Sequence, residues 1–404
     1  MLKHWIWLAS RKGIGTRGCA SLLRLFGSAE KVYQLNKEQC LATDGFEQRW
    51  METVLDKDMA YAEKVLTDCD NKGISILTYA DAAYPERLRN IADPPVLLYY
   101  LGNLLDFDKE AVISVVGTRK CSAYGMLHAK QFSRMISASG GIVLSGGARG
   151  IDTVALQSAL ESAMPVACVL GCGLDITYPR ENRRLFEDVC RHGCLLSEYP
   201  PGTPPLGTNF PPRNRILSGL SVGVLVVEAP VKSGALITAE FALEQGRDVY
   251  TIPGNIGAKS CEGNNNLLKQ GAQLVMDGWE IMQNYIYQFP DKIVDGHSKE
   301  AIENTFMYRY GRVVPVYSPD LTGGTNDKKS IDNTGTSAYS GNGNPPKLTE
   351  DEEKVLNLLS GEPIHGDTLV AKTNIPSRRV MAALTMLQIK GLAEKCSGNY
   401  YVKK

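Results

Sequence analysis

An α/β fold with a Rossmann-like parallel sheet at its centre is the class this sequence predicts, on three observations. Near-continuous apolar runs at 112–116, 141–144, 166–170, 223–227 and 248–252 have the length and β-branched content of buried strands. Helical periodicity separates most of them, as in a parallel sheet covered on both faces. Glycine-rich turns follow the runs, at the carboxyl edge where such sheets bind ligands.

Composition bounds what that edge can do. The chain has 404 residues, 43% of them apolar, which is enough for two or three domains with real cores. Lys and Arg total 44 and so do Asp and Glu, so a protein that coats DNA through overall charge is excluded and any polyanion site must be local. Residues 1–8 are too short an apolar stretch for a signal peptide, and no membrane-spanning run follows, so a cytoplasmic protein with no membrane partner is expected. The 10 cysteines do not form paired Cys-x-x-Cys knuckles and read as reduced, mostly buried thiols. Cys190-Arg191-His192-Gly193-Cys194 lacks a second ligand pair, and no metal is expected.

Taken in order, 1–70 reads as short amphipathic helices. Lys12-Gly13-Ile14-Gly15 before the helical stretch 20–27 resembles a helix-hairpin-helix or SAM-like module, whose turn can hold a DNA backbone; a purely structural helix pair fits equally well. The Rossmann-like domain is placed at 74–287, with two short β-like runs, 74–78 and 96–100, ahead of the core strands.

The strand ends carry the chemistry. Gly117-Thr118-Arg119 follows the first core run. Ser145-Gly146-Gly147-Ala148-Arg149-Gly150-Ile151-Asp152 follows the second and opens a helix, a place where backbone N–H groups and a helix dipole favour a phosphate, although taken alone a tight strand-to-helix connection with no ligand fits equally well. The third run leads to Gly171-Cys172-Gly173-Leu174-Asp175 and Tyr178-Pro179-Arg180, and the strand-like piece 194–199 to Phe210-Pro211-Pro212-Arg213-Asn214-Arg215. The fourth leads to Glu228 and on to Lys232-Ser233-Gly234. The expected result is a rim of Arg119, Arg149, Arg180, Arg213, Arg215 and Lys232 with Phe210 as an exposed ring, and cations beside a stacking ring describe a single-strand nucleic-acid site. For any one arginine, a solvated surface charge is the competing reading; recurrence at successive strand ends favours the site. No catalytic set stands at the same edge. Walker, nucleophile-elbow and Gly-x-Gly-x-x-Gly signatures are missing, so no nucleotide cofactor is expected. Asp152, Asp175, Glu228 and Glu240 have acid or base chemistry, but Asp152 is more simply an early-helix carboxylate favoured by the dipole.

Residues 111–277 resemble the DNA-processing protein A family (DprA, also called Smf). The likeness rests on Gly117-Thr118-Arg119, the 145–152 turn, 171–175 with Tyr178-Pro179, Ser197-Glu198-Tyr199-Pro200-Pro201-Gly202, Phe210-Pro211-x-Arg213-Asn214-Arg215-Ile216, Ser233-Gly234-Ala235-Leu236-Ile237-Thr238 and Pro253-Gly254-Asn255. The resemblance implies a domain that binds and protects incoming single-stranded DNA, forms a homodimer, and helps load the RecA recombinase in natural transformation. It places Arg119 and Arg180 in the DNA pocket and the Phe-Pro-x-Arg-Asn element at its edge. Where relatives often carry a lysine three residues before the phenylalanine this chain has Gly207, and Asn264 stands where Thr, Ser or Cys is usual.

Residues 288–346 are rich in Gly, Asn, Ser, Thr and Asp and are expected to form a flexible linker. At 347–404 a capped helix (Thr349 with Glu352), two further helices and a strand-turn-strand predict a winged helix, whose third helix carries Arg378 and Arg379. Its acidic first helix favours a protein partner over DNA. Two other classes stand beside the DNA-binding reading. One is a Rossmann nucleotide-processing enzyme of the lysine-decarboxylase-like type, whose Pro-Gly-Gly-x-Gly-Thr signature is broken at 232–240. The other is a winged-helix transcriptional regulator with the central domain as sensor.

Overall fold

Core strands buried along their whole length set the centre of the larger unit. In the computed structural model, which describes residues 1–162, 164–298, 348–360, 364–373, 375–390, 392–395 and 400–403, the chain divides into two compact units, Met1–Gly323 and Gly324–Lys404.

The sheet of the first unit contains β1 (Ser75–Thr78), β2 (Leu97–Gly102), β3 (Val112–Val116), β4 (Ile142–Ser145), β5 (Val166–Leu170), β6 (Cys194–Ser197), β7 (Gly223–Val226), β8 (Asp248–Thr251) and β9 (Gln273–Leu274). Their order is β1-β2-β6-β5-β4-β3-β7-β8-β9. All neighbours from β6 to β9 are parallel, with Ile113 of β3 opposite both Val143 of β4 and Gly223 of β7. The two early β-like runs add antiparallel strands at one edge, β2 pairing with β6. The two-residue, exposed β9 at the other edge has no apolar run to announce it.

Alternation then divides the core between two faces. Ile113 and Val115 join the apolar cluster with Phe132, Ala155 and Leu185, whereas Val112 and Val116 join the cluster with Ile216, Leu217 and Ala239. The first cluster also takes in the N-terminal helices α1 (Leu2–Ala9), α2 (Gly15–Phe26), α3 (Ala29–Gln34), α4 (Lys37–Ala42), α5 (Met51–Leu55) and α6 (Ala60–Lys72) through Trp7, Leu22, Val32 and Trp50. The Trp7 indole N–H donates to Asp56 O at 3.1 Å, and a Lys72–Asp175 ion pair at 2.7 Å ties α6 to the loop after β5. The remaining helices among the described residues of this unit are α7 (Glu86–Arg89), α8 (Ala123–Ala138), α9 (Ile151–Glu161), α10 (Arg183–His192), α11 (Phe210–Leu220), α12 (Gly234–Glu244), α13 (Glu262–Lys269) and α14 (Gly278–Met282).

The start of the expected linker needs correction. Phe289 and Ile293 are buried in the first cluster, and the Val294 N–H donates to Ser139 O at 3.2 Å, so 288–298 packs on the sheet unit. The rest of that segment, 299–346, lies outside the described residues. No helix among the described residues is long and apolar enough to cross a membrane.

In the second unit α15 (Glu350–Leu356) begins with the Thr349/Glu352 capping box, and α16 (Gly366–Thr373) and α17 (Ser377–Ile389) follow. A small sheet, with β12 (Tyr400–Lys403) between β10 (Ile364–His365) and β11 (Ala393–Lys395), completes a winged helix over Val355, Leu369, Val380, Leu384 and Tyr401. Arg379 of this third helix is held by both carboxylate oxygens of Asp351, at 2.7 and 2.8 Å, so it is already paired within the unit.

Candidate nucleic-acid interface

Strand order locates the site. After β6 the chain crosses back to place β7 beside β3, so the loops after β3 and β7 diverge and leave a crevice between them. A cleft of about 600 Å³ occupies it. From the β3 loop it is lined by Gly117, Thr118, Arg119 and Lys120; from the β7 loop by Lys232, Ser233 and Gly234; from α11 by Phe210, Arg213 and Asn214. Ala148 and Asp152 of the turn after β4 and the more distant Ser260 line it too, so chain segments far apart in sequence converge on one space.

The cations there are of two kinds. Arg119, Lys120 and Lys232 are exposed, and among the described residues none has an ion-pair partner. The Arg119 guanidinium carbon lies 5.1 Å from the centre of the Phe210 ring, a cation–π distance that holds both groups at the mouth. The Tyr178 ring stands 5.8 Å from Phe210, tilted by 42°, and beside it is the exposed Arg180. Lys120 was not singled out by the strand-end pattern; its position directly after Arg119 was the available signal. Gly207 also lines the cleft, and a Cβ there would meet nothing within 4 Å.

Arg213 and Arg215 are corrections to the expected rim. Arg215 is 2% exposed. It forks onto Glu198 at 2.7 and 2.9 Å and reaches Asp93 at 3.3 Å, so it pins α11 to the loops after β6 and before β2. Arg213 is buried at the floor of the cleft, where it donates to the carbonyls of Gly146 and Val169. Both are inside because the fold itself supplies their partners, carbonyls for Arg213 and the carboxylates of Glu198 and Asp93 for Arg215.

The turn after β4 is corrected as well. Ser145 is fully buried and donates to Val115 O at 2.7 Å, and Gly146 and Gly147 are buried. A Cβ on Gly146 would lie 2.6 Å from the Arg213 guanidinium, so the glycine makes room for that side chain and not for a ligand. Gly150, at φ +78°, approaches the Thr118 carbonyl too closely for any side chain, which joins the turn to the β3 loop. Arg149 is exposed but paired with both oxygens of Glu181.

The turn supplies its own anion. Asp152, in the first turn of α9 as the dipole argument requires, accepts the Ala148 N–H at 3.3 Å. Burial pushes its carboxyl up to about 6, opposed by the charge of Arg213 and, less, of Arg119. Asn264 knits the same edge together further along, accepting the Ala229 N–H at 2.7 Å and donating to Val227 O and Thr251 Oγ1 at 2.9 Å. Of the other carboxylates, Asp175 is held below its usual range: burial works against this, but the Lys72 pair and the Gly202 N–H prevail. Among the described residues no cluster of three His, Cys, Asp or Glu side chains is placed to hold a metal, and the Cys172 thiol, for one, is pushed up to about 11 by burial.

Known proteins match this architecture. Residues 75–286 match the family model for DNA recombination-mediator protein A, and 342–399 that of the DprA winged helix domain. The chain is 32% identical to Protein Smf of Synechocystis over 405 residues, covering 99% of this chain and 98% of that one. It is 44% identical to the DNA processing protein DprA of Streptococcus pneumoniae over 207 residues, 51% of this chain and 72% of that one. The X-ray structure of DNA processing protein A from Streptococcus pneumoniae superposes with a TM-score of 0.62 at 34% identity, covering 70% of this chain and 98% of that one. From the convergent strand ends to the winged helix, the chain belongs to the DNA recombination-mediator protein A (DprA/Smf) family.

Proposed function

We propose that this protein binds single-stranded DNA in the cleft between the β3 and β7 loops, as a DNA-processing protein and not as an enzyme. One observation carries the reading: Arg119, Lys120 and Lys232, cations without ion-pair partners among the described residues, converge on one cleft with the Phe210 ring. Such a surface attracts phosphates and offers a π-face to any base, so it selects single strands with little base preference. The relatives named for DNA processing support the assignment. The finer reading is that the bound strand is protected and passed to the RecA recombinase during transformation, by a homodimer in the cytoplasm.

The test is a titration of the full chain with an oligothymidylate, a mixed-sequence single strand and the matching duplex at two salt concentrations. Tighter binding of both single strands than of duplex is expected, with affinity falling as salt rises. Equal or tighter duplex binding overturns the reading. Stimulated RecA assembly on the bound strand, and a dimer in sedimentation, are the expected outcomes for the finer parts; a monomer, or no stimulation, removes the corresponding part.

A further inference from the structure

Glu228, at the carboxyl end of β7, is fully buried and does not line the cleft. Its carboxylate therefore has no access to a bound strand, and acid or base chemistry is closed to it. Its contacts lie behind the cationic loop. The backbone carbonyl of Glu228 accepts the Thr118 N–H at 2.7 Å, and its carboxylate Oε2 accepts the Ser122 N–H at 2.8 Å. One residue thus grips the segment 118–122 at both ends, and Arg119 and Lys120 stand between the two grips.

Neighbouring residues are shaped around that carboxylate. Ser122 caps α8, a helix of 16 residues, by accepting the Gly125 N–H at 3.1 Å, so the carboxylate sits at the positive end of the helix dipole. A Cβ on Gly125 would collide with Oε2, so only glycine admits the acid there. The loop is braced from the far side by the Thr118 carbonyl, which accepts the Ile151 N–H at 3.3 Å, and internally by Thr118 Oγ1, which accepts the Lys120 N–H at 3.3 Å. The other carboxylate oxygen, Oε1, is buried without a hydrogen-bond partner. A buried carboxylate with one unsatisfied oxygen is costly to a fold, and such a group persists where something else requires its geometry.

We propose that Glu228 is the positioning residue of the DNA site: it holds the 118–122 loop so that the Arg119 and Lys120 charges point over the cleft. The proposal rests on the single-strand reading of that cleft. Glu228 touches no DNA; its carboxylate acts through the Ser122 amide, its backbone carbonyl holds the Thr118 amide, and the cations so placed make the contacts. A loop released from the carboxylate keeps both charges but samples other directions, so it loses phosphate contacts without losing charge.

A double-mutant cycle with the full chain tests this, measuring single-strand affinity across a salt series for wild type, Glu228→Ala, Arg119→Ala/Lys120→Ala and the combined variant. Glu228→Ala is expected to bind about tenfold more weakly, with a salt slope shallower by about 0.7 to 1.4 for one or two lost phosphate contacts. The combined variant is expected to bind no more weakly than Arg119→Ala/Lys120→Ala, because the carboxylate acts only through those cations. Glu228→Gln, whose carbonyl can still accept the Ser122 N–H, is expected to fall between wild type and Ala, and it serves where the Ala variant does not fold. A merely structural role predicts losses that follow thermal stability and leave the salt slope unchanged; that result, or additive losses in the cycle, overturns the positioning role. Wild-type affinity in Arg119→Ala/Lys120→Ala overturns the cleft reading itself, and the positioning role with it.

Discussion

The loop after β3 and the turn after β4 are made of similar parts, glycines and an arginine at the carboxyl end of a buried parallel strand, and they lie side by side in the sheet. They are electrostatically opposite. The β4 turn is self-contained: its Ala148 N–H is satisfied by Asp152, its Arg149 by Glu181, and the space over Gly146 is filled by Arg213. The β3 loop is braced at its amides by Glu228 and the Thr118 hydroxyl, its Arg119 lies over the Phe210 ring, and neither Arg119 nor Lys120 has an ion-pair partner among the described residues. The difference teaches that a cation at a strand end marks a ligand site only when no carboxylate of the fold has already reached it.

Cations and carboxylates already engaged within the fold should break in stability and not in binding. The largest effect is expected at Arg215. Replacement by Ala strands Glu198 and Asp93, both largely buried, without their partner. Breaking a buried pair from one side costs about 3–5 kcal/mol, to be read as a shift in the denaturant midpoint. Single-strand affinity of the folded fraction should stay at the wild-type value; a tenfold loss without loss of stability would put Arg215 back among the DNA contacts.

A second, somewhat smaller effect concerns Asp152, whose carboxyl is pushed from 3.8 up to about 6 by burial. Because the folded pKa lies above the unfolded one, the folded state holds the proton longer. The contribution to stability is therefore most favourable below pH 4 and declines as pH rises towards 6 and above. Linkage sets the decline at roughly 2–3 kcal/mol between pH 4 and 7. Asp152→Asn removes that dependence, so the stability difference between variant and wild type should tilt with pH over this interval. A flat difference would mean that Asp152 ionises in the fold as it does in water.

Much of this was legible in the sequence, for identifiable reasons. Strands β3 to β8 announce themselves because both faces of a parallel sheet are covered, which demands unbroken apolar runs such as 112–116 and 166–170. The cleft was half legible: Arg119, Phe210 and Lys232 follow from their place after strands. Arg213 and Arg215 did not, because a buried arginine and an exposed one are the same letter, and the partners of Arg215 at Asp93 and Glu198 stand 122 and 17 residues away. Polar composition around 288–298 hid a packed segment, although Phe289 and Ile293, an i, i+4 apolar pair, carried the signal. Glu228 was visible as a carboxylate at a strand end; its grip on Thr118 and Ser122 emerges only when β7 is placed beside β3.

The most direct test sets the two arginines of the compared loops against each other in one measurement: single-strand binding across a salt series for wild type, Arg119→Ala and Arg149→Ala, each checked for folding. Arg119→Ala loses one charge-assisted contact of about 1.5–3 kcal/mol, so binding should weaken roughly ten- to a hundredfold and the slope of log affinity against log salt should become shallower by about 0.7. Arg149→Ala removes an exposed, already paired charge, and less than about 1 kcal/mol is expected in affinity or stability. Equal losses in the two variants, or wild-type affinity in a folded Arg119→Ala protein, would contradict the assignment of the β3 loop as the DNA-binding edge.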